Sequence, residues 1–187
     1  MLYIISGKYK GQKLSSVPSI KTRSTSHLLR KSLFDVIRNV IHDNIVLDLF
    51  SGSGSYGFEA LSRKAKQVYL VDNFFLAIRT IKKNIKKLNL NKEQVKVFFN
   101  DAFKMLKLFS KNKIIFDLII LDPPYFSDFY FVLFQNLHKI THDKSLIILE
   151  IHFKTLLPLQ IDNFLLFKEK KYGNKKINYY RKILSKS

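Results

Sequence analysis

The sequence predicts an α/β protein built on a doubly wound, mostly parallel sheet with an antiparallel C-terminal hairpin, and three observations carry that prediction. Five apolar runs, IVLDLF, QVYLVD, VKVFF, FDLIILD and SLIILEI, recur between residues 45 and 151. Runs of this length and character suit strands covered on both faces. Segments of helical period lie near 55–63, 74–89, 101–110 and 128–140, between those runs, and regular strand and helix alternation is the pattern of a parallel sheet. The final stretch, residues 164–184, alternates with period two around Gly173-Asn174, which predicts the antiparallel hairpin at one edge.

The elements before residue 45 form a small appendage. Residues 2–6 and 9–14, separated by Ser6-Gly7-Lys8, read as a β-hairpin. Ser26 is placed to N-cap a helix through about Ile41, in which Leu29, Leu33, Val36, Ile37 and Val40 recur at helical spacing. The expected division is therefore a hairpin-and-helix appendage over 1–44 and a core over 45–187.

Composition narrows the function. The 187 residues suit one domain plus that appendage, and 47% apolar and 14% aromatic content supplies a sizeable core. Lys plus Arg number 33 against 14 acids, a formal net charge of +19, so a polyanionic partner is expected. There is no cysteine, which excludes a disulfide framework, a Cys-type zinc site and a thiol nucleophile. The histidines at 27, 42, 138, 142 and 152 show no ligand spacing, and no metal is expected. No apolar run approaches the ~18 residues of a membrane span, and the start MLYIISGKYK reads as strand and turn. A soluble, cytoplasmic protein without a membrane partner is the expectation.

Two motifs carry chemistry. Asp48-Leu49-Phe50-Ser51-Gly52-Ser53-Gly54-Ser55-Tyr56-Gly57 lies between the first core strand and its helix, and its glycines satisfy GxGxxG. Such a loop lets backbone approach a ligand at a helix N-terminus, whether the ligand is NAD or S-adenosylmethionine (SAM). SAM has no pyrophosphate, and its ammonium group benefits from a carboxylate at the strand end, where Asp48 stands. Asp72 closes the next strand, the position from which an acid accepts hydrogen bonds from ribose hydroxyls. The second motif, Asp122-Pro123-Pro124-Tyr125, follows the fourth core strand. Its prolines fix φ and remove N–H donors, leaving the Asp122 carboxylate and the Pro123 carbonyl as acceptors beside an aromatic ring. That combination suits a flat base bearing an exocyclic amine, stacked on Tyr125 and held through its N–H groups.

The order of these motifs resembles the SAM-dependent amino-methyltransferases acting on adenine N6, cytosine N4 or guanine N2, a Rossmann-like fold. More closely, the chain is similar to the bacterial 16S rRNA (guanine-N2) methyltransferases, the RsmD-like family. The segments Ile4–Leu14, Arg23-Ser24-Thr25, Arg30–Phe34, Phe58–Arg63 and Lys171–Asn174 carry that resemblance beyond the core motifs. It implies that Asp48, Phe50, Gly52 and Gly54 line the methionine end of SAM, Asp72 the ribose, and Asp101 the adenine edge. Ser53, Asn73, Asn100 and Ala102 complete the expected cofactor set. It also implies that Asp122, Pro123, Pro124 and Tyr125 hold a guanine amine, guanine 966 in this family, with 16S rRNA in an assembled or assembling small subunit as partner and a monomeric enzyme. Ser24 stands where the family has Pro, His27 where it has an acid, Asp72 where it has Glu, and Phe74 where it has Asp.

Lys8, Lys10, Lys13, Arg23 and Arg30 make the appendage strongly basic, and they are the expected RNA contacts. Lys82, Lys83, Lys86 and Lys87 read equally as RNA contacts or as an ordinary charged helix face. Two other functions share parts of this pattern. A DNA adenine-N6 methyltransferase has the same chemical core but normally a separate sequence-reading domain, and a non-catalytic rRNA-binding assembly factor would not need the acceptor geometry of Asp122-Pro123.

Overall fold

The computed structural model describes residues 1–18, 27–123 and 127–183. They fall into two compact units, Met1–Ala102 and Phe103–Ser187. The first contains β1 (Leu2–Tyr3), β2 (Lys13–Leu14), α1 (His27–Val36), β3 (Ile45–Asp48), α2 (Ser55–Ser62), β4 (Gln67–Asp72), α3 (Phe75–Lys87) and β5 (Val95–Phe99). The second contains α4 (Ala102–Lys111, its first residue in the first unit), β6 (Phe116–Leu121), α5 (Ser127–Leu137), a 3₁₀ turn (His138–Ile140), β7 (Thr141–His152), β8 (Gln160–Ile161), β9 (Phe164–Tyr172) and β10 (Lys175–Lys182).

In the first unit the core strands run parallel in the order β5-β4-β3. The register runs from Ile45↔Gln67 to Asp48↔Leu70 and from Val68↔Val95 to Asp72↔Phe99, so Asp48 and Asp72 finish adjacent strands at one carboxyl edge. Val46, Leu47, Val68, Leu70 and Val71 are buried, each such side chain contributing about 1.5–3 kcal/mol. All of α2 is buried, its Glu59 included.

In the second unit the order is β6-β7-β10-β9-β8. Strands β6 and β7 are parallel, from Leu118↔Leu146 to Leu121↔Leu149, and β10 runs antiparallel between β7 and β9. Phe134 of α5 packs on Phe164 and Tyr180, with ring centroids 5.6 Å and 4.9 Å away. The C-terminal hairpin pairs Tyr172 with Lys175 across the expected Gly173-Asn174 turn. It does not end the sheet, because β8 pairs with Phe164 and Leu165 beyond it. Two residues after a proline are too short a run for period-two patterning to reveal.

Two N-terminal elements are shorter than their patterns predict. The paired strands are only Leu2↔Leu14 and Tyr3↔Lys13, and beyond the Ile4 bonds to Gln12 and Gly11 the Ile5 and Ser6 N–H groups donate instead to the Glu59 carboxylate of α2, at 2.7 Å and 3.1 Å. Helix α1 stops at Val36, and a turn closed by the Val40 N–H on the Ile37 carbonyl (3.0 Å) follows. The β-branched pair Val36-Ile37 is a weak helix former, although Ile37 and Ile41 still reach the core. The predicted N-cap Ser26 lies outside the described residues.

Candidate active site

The glycine loop occupies the carboxyl edge of β3. Gly54, at φ 78°, turns the chain into α2, and a side chain there would also strike the Phe58 ring at 2.6 Å, so only glycine serves. A Cβ at Gly52 would meet nothing within 4 Å, which leaves that face of the loop open to a ligand. Ser51 locks the base of the loop: its hydroxyl donates to the Asp48 carbonyl (2.7 Å) and the Val71 carbonyl (2.9 Å).

Asp72 joins this loop to the next one. Its carboxylate accepts the Gly52 N–H at 2.7 Å and the Phe74 N–H at 2.8 Å. Burial raises its carboxyl above the ordinary range, opposed by the Phe74, Gly52 and Asn73 N–H groups. Asp48 is 2% exposed. Its Oδ2 accepts the Gly57 N–H at 3.1 Å, and burial, with the neighbouring Asp72 charge adding to it, pushes its carboxyl up to about 7. A buried carboxylate with so little compensation suits a cationic group brought in by a ligand. From β5, the Asn100 N–H donates to the Asp72 carbonyl at 3.1 Å, and the Asn100 side chain accepts the Asp101 N–H at 2.9 Å. Asn73 is exposed, Phe50, Ser53 and Asp101 are half-buried, and buried Ala102 opens α4.

The first unit therefore brings Asp48, Gly52, Gly54, Asp72 and Asn100 to one edge, with acceptors for an ammonium group and a ribose beside an open backbone. These residues fit SAM. In the second unit, half-buried Asp122 and buried Pro123 follow β6 directly. On the neighbouring strand Glu150 follows Leu149 as Asp122 follows Leu121; it is buried and ion-paired to Lys175 of β10. Pro124 and Tyr125 lie outside the described residues, as does Arg23. Among the described residues no group of three or more His, Cys, Asp or Glu could hold a metal ion, and no helix is long and apolar enough to cross a membrane.

The expected RNA contacts separate. Lys8, Lys10 and Lys13 are exposed on the hairpin. Arg30 is not available to phosphate: it is 1% exposed, donates to the Tyr3 carbonyl and lies 4.0 Å from Glu59. Glu59 also binds Arg63, Nε to Oε1, at 2.7 Å. An arginine at a helical core position is read as a surface cation by charge counting alone, and only its buried carboxylate partner reveals otherwise.

Sequence reasoning missed two positioning residues. Glu59 was detectable as a lone acid in the otherwise uncharged helix SYGFEALS. Asn84 interrupts the buried stripe Ala77, Ile81, Asn84, Leu88 of α3. Its amide accepts the Ser15 N–H (2.7 Å) and donates to the Ser15 and Ser53 carbonyls, both at 3.0 Å, so one buried side chain holds both the glycine loop and the strand leaving the hairpin.

Comparison with known proteins agrees with this geometry. The model of the family described as "Conserved hypothetical protein 95" matches residues 2–181. YlbH of Bacillus subtilis is 33% identical over 181 residues, covering 96% of this chain and 98% of that protein. The "Ribosomal RNA small subunit methyltransferase D" of Buchnera aphidicola subsp. Baizongia pistaciae is 34% identical over 182 residues, covering 95% and 89%. Among solved structures, yhhF of Escherichia coli superposes with a TM-score of 0.83 at 27% identity, covering 98% of this chain and 99% of that one. With a Rossmann-like methyltransferase fold and a loop suited to SAM, the chain belongs to the family described as "Conserved hypothetical protein 95", the RsmD family of SAM-dependent methyltransferases.

Proposed function

We propose that this protein transfers a methyl group from SAM to the exocyclic N2 amine of a guanine in small-subunit rRNA, guanine 966 in the family's usual assignment. Its partner is 16S rRNA within an assembled or assembling subunit. The reading is supported by two features of the one chain, a SAM-type loop after β3 and a strand end after β6, Asp122-Pro123, that offers acceptors and lacks a proline N–H donor. The named rRNA methyltransferase among its relatives supports rRNA as the substrate class.

When bound, SAM supplies an activated sulfonium methyl and departs as the neutral thioether. The ionised Asp48 would hold the ammonium end, and Asp72 the ribose hydroxyls, while still bracing Gly52 and Phe74. Asp122 would accept one N–H of the guanine amine and the Pro123 carbonyl the other, which orients the nitrogen lone pair toward the methyl carbon. An amine conjugated to a purine is a weak nucleophile, so this orientation provides most of the acceleration, for which ~7–11 kcal/mol is attainable. Asp122 would take up the proton that the methylated amine sheds and release it to water.

The deciding experiment incubates the protein with isotope-labelled SAM and unmodified small-subunit particles, naked 16S rRNA or duplex DNA, followed by nucleoside analysis. N2-methylguanosine from particles or rRNA is the expected product. N6-methyladenine from DNA would replace this reading with a DNA methyltransferase, and SAM binding with no product on any substrate would leave an assembly factor.

A further inference from the structure

We propose that the outward face of α3 is a second RNA-binding surface, tracking single-stranded rRNA that flanks the modified nucleotide. The inference rests on the reading that the substrate is rRNA. Helix α3, FLAIRTIKKNIKK, contains no acid in its 13 residues. Arg79, Lys82, Lys83 and Lys86 are exposed, and at 3.6 residues per turn they share with Phe75 an arc of about 100°. Helix α1 shows what a neutralised face looks like: Lys31 there meets Asp35 one turn on, at 2.7 Å. Among the described residues the four α3 cations have no such partner, so their field is directed at solvent and at any polyanion in it.

Two further observations distinguish this face from a merely solvated one. Phe75 and Phe99 are 57% and 58% exposed, and their rings meet edge to face at 6.3 Å. Single exposed apolar side chains are ordinary. A pair of rings at the head of a basic strip is the combination that binds single strands, stacking bases while cations follow the backbone. The strip is also joined to the basic hairpin. Asn84 fixes the Ser15 backbone against α3, the Lys87 Nζ donates to the Ser15 hydroxyl at 2.9 Å, and exposed Lys13 lies two residues before Ser15. From Phe75 to Lys87 the face extends about 18 Å, and at its Lys87 end it meets Ser15 of the strand leaving the hairpin.

The test compares Lys82→Gln/Lys83→Gln/Lys86→Gln with Lys104→Gln/Lys107→Gln/Lys111→Gln, which removes equal charge from exposed positions on α4. With whichever of unmodified small-subunit particles and naked 16S rRNA wild type methylates as probe, the α3 triple variant should raise KM for RNA at least tenfold, with kcat within twofold and the dissociation constant for S-adenosylhomocysteine unchanged. Its log affinity against log salt should be shallower by about 2, three single-strand contacts at ~0.7 each. The α4 triple variant should leave the slope near that of wild type. An unchanged slope in the α3 variant, or equal losses in both, would overturn the proposal. Phe99→Ala should weaken RNA binding several-fold without changing the slope. A weaker S-adenosylhomocysteine affinity in that variant would instead assign the rings to the cofactor and overturn the stacking role. Wild type that methylates no RNA would refute the rRNA reading itself, whereas intact methylation with an indifferent α3 variant refutes only this surface.

Discussion

Asp48→Asn should make the cofactor-free protein more stable and the cofactor site weaker. Burial moves the Asp48 carboxyl from 3.8 to about 7. Between those values the folded protein holds a proton that the unfolded chain has released, so this group lowers stability as pH rises, by about 1.4 kcal/mol per unit. Above pH 7 the penalty levels off at about 4 kcal/mol. Asparagine keeps an oxygen for the Gly57 N–H and removes the charge, while its buried NH₂ costs about 1–3 kcal/mol. The net gain at pH 8 is about 1–3 kcal/mol, which corresponds to a rise in Tm of about 2–12 °C for a chain of this size. At pH 4, where the folded carboxyl is protonated and the unfolded one only about half ionised, the penalty has nearly vanished and the order should reverse. Melting curves from pH 4 to 8.5 without cofactor measure this directly, and calorimetric titration with SAM at pH 8 should show at least a tenfold weaker dissociation constant. A variant that melts below wild type at pH 8, or that binds SAM normally, would refute the assignment of Asp48 as the buried carboxylate reserved for an ammonium group.

Three other substitutions test neighbouring parts of the argument. Asp122→Ala should bind SAM within about twofold of wild type and lose methyl transfer by at least ~100-fold, the scale of a positioned acid–base group; normal turnover would remove Asp122 from the reaction. Asp72→Ala frees the Gly52 and Phe74 N–H groups together with the expected ribose contact, and its SAM dissociation constant should rise more than tenfold by titration. Gly7→Ala would place a methyl group 1.8 Å from the Ser62 carbonyl oxygen at a φ of 84°, so about 2–4 kcal/mol should be lost in denaturant melts. A neutral result there would mean that the hairpin is not docked on α2 as described.

The core was legible because its signals are local. QVYLVD and VKVFF became strands at their predicted boundaries, since a short apolar run between helical periods has few alternatives. The acids were legible for the same reason: Asp48 and Asp72 terminate strands, and strand ends in such a sheet face the ligand edge. What was hidden depends on partners distant in sequence. Arg30 became a core residue because Glu59 is there to meet it, and the same carboxylate takes the Ile5 and Ser6 N–H groups. Asn84 was obscured because a buried amide is indistinguishable by type from a solvated one until Ser15 and Ser53 are placed beside it.

The attachments of the hairpin also impose an order on folding. Strands of two residues cannot stand alone in water, and the N–H groups of Ile5, Ser6 and Tyr9 find their acceptors on Glu59 and Ser62, more than fifty residues later. Ser15 waits still longer for Asn84. The hairpin is therefore among the last parts of its unit to acquire structure although it precedes them in sequence, and its lysines gain a fixed arrangement only after α2 and α3 have formed. A chain truncated after β4 would keep Glu59 but lose Asn84, leaving a hairpin fastened at its turn and free where it leads toward the segment bearing Arg23.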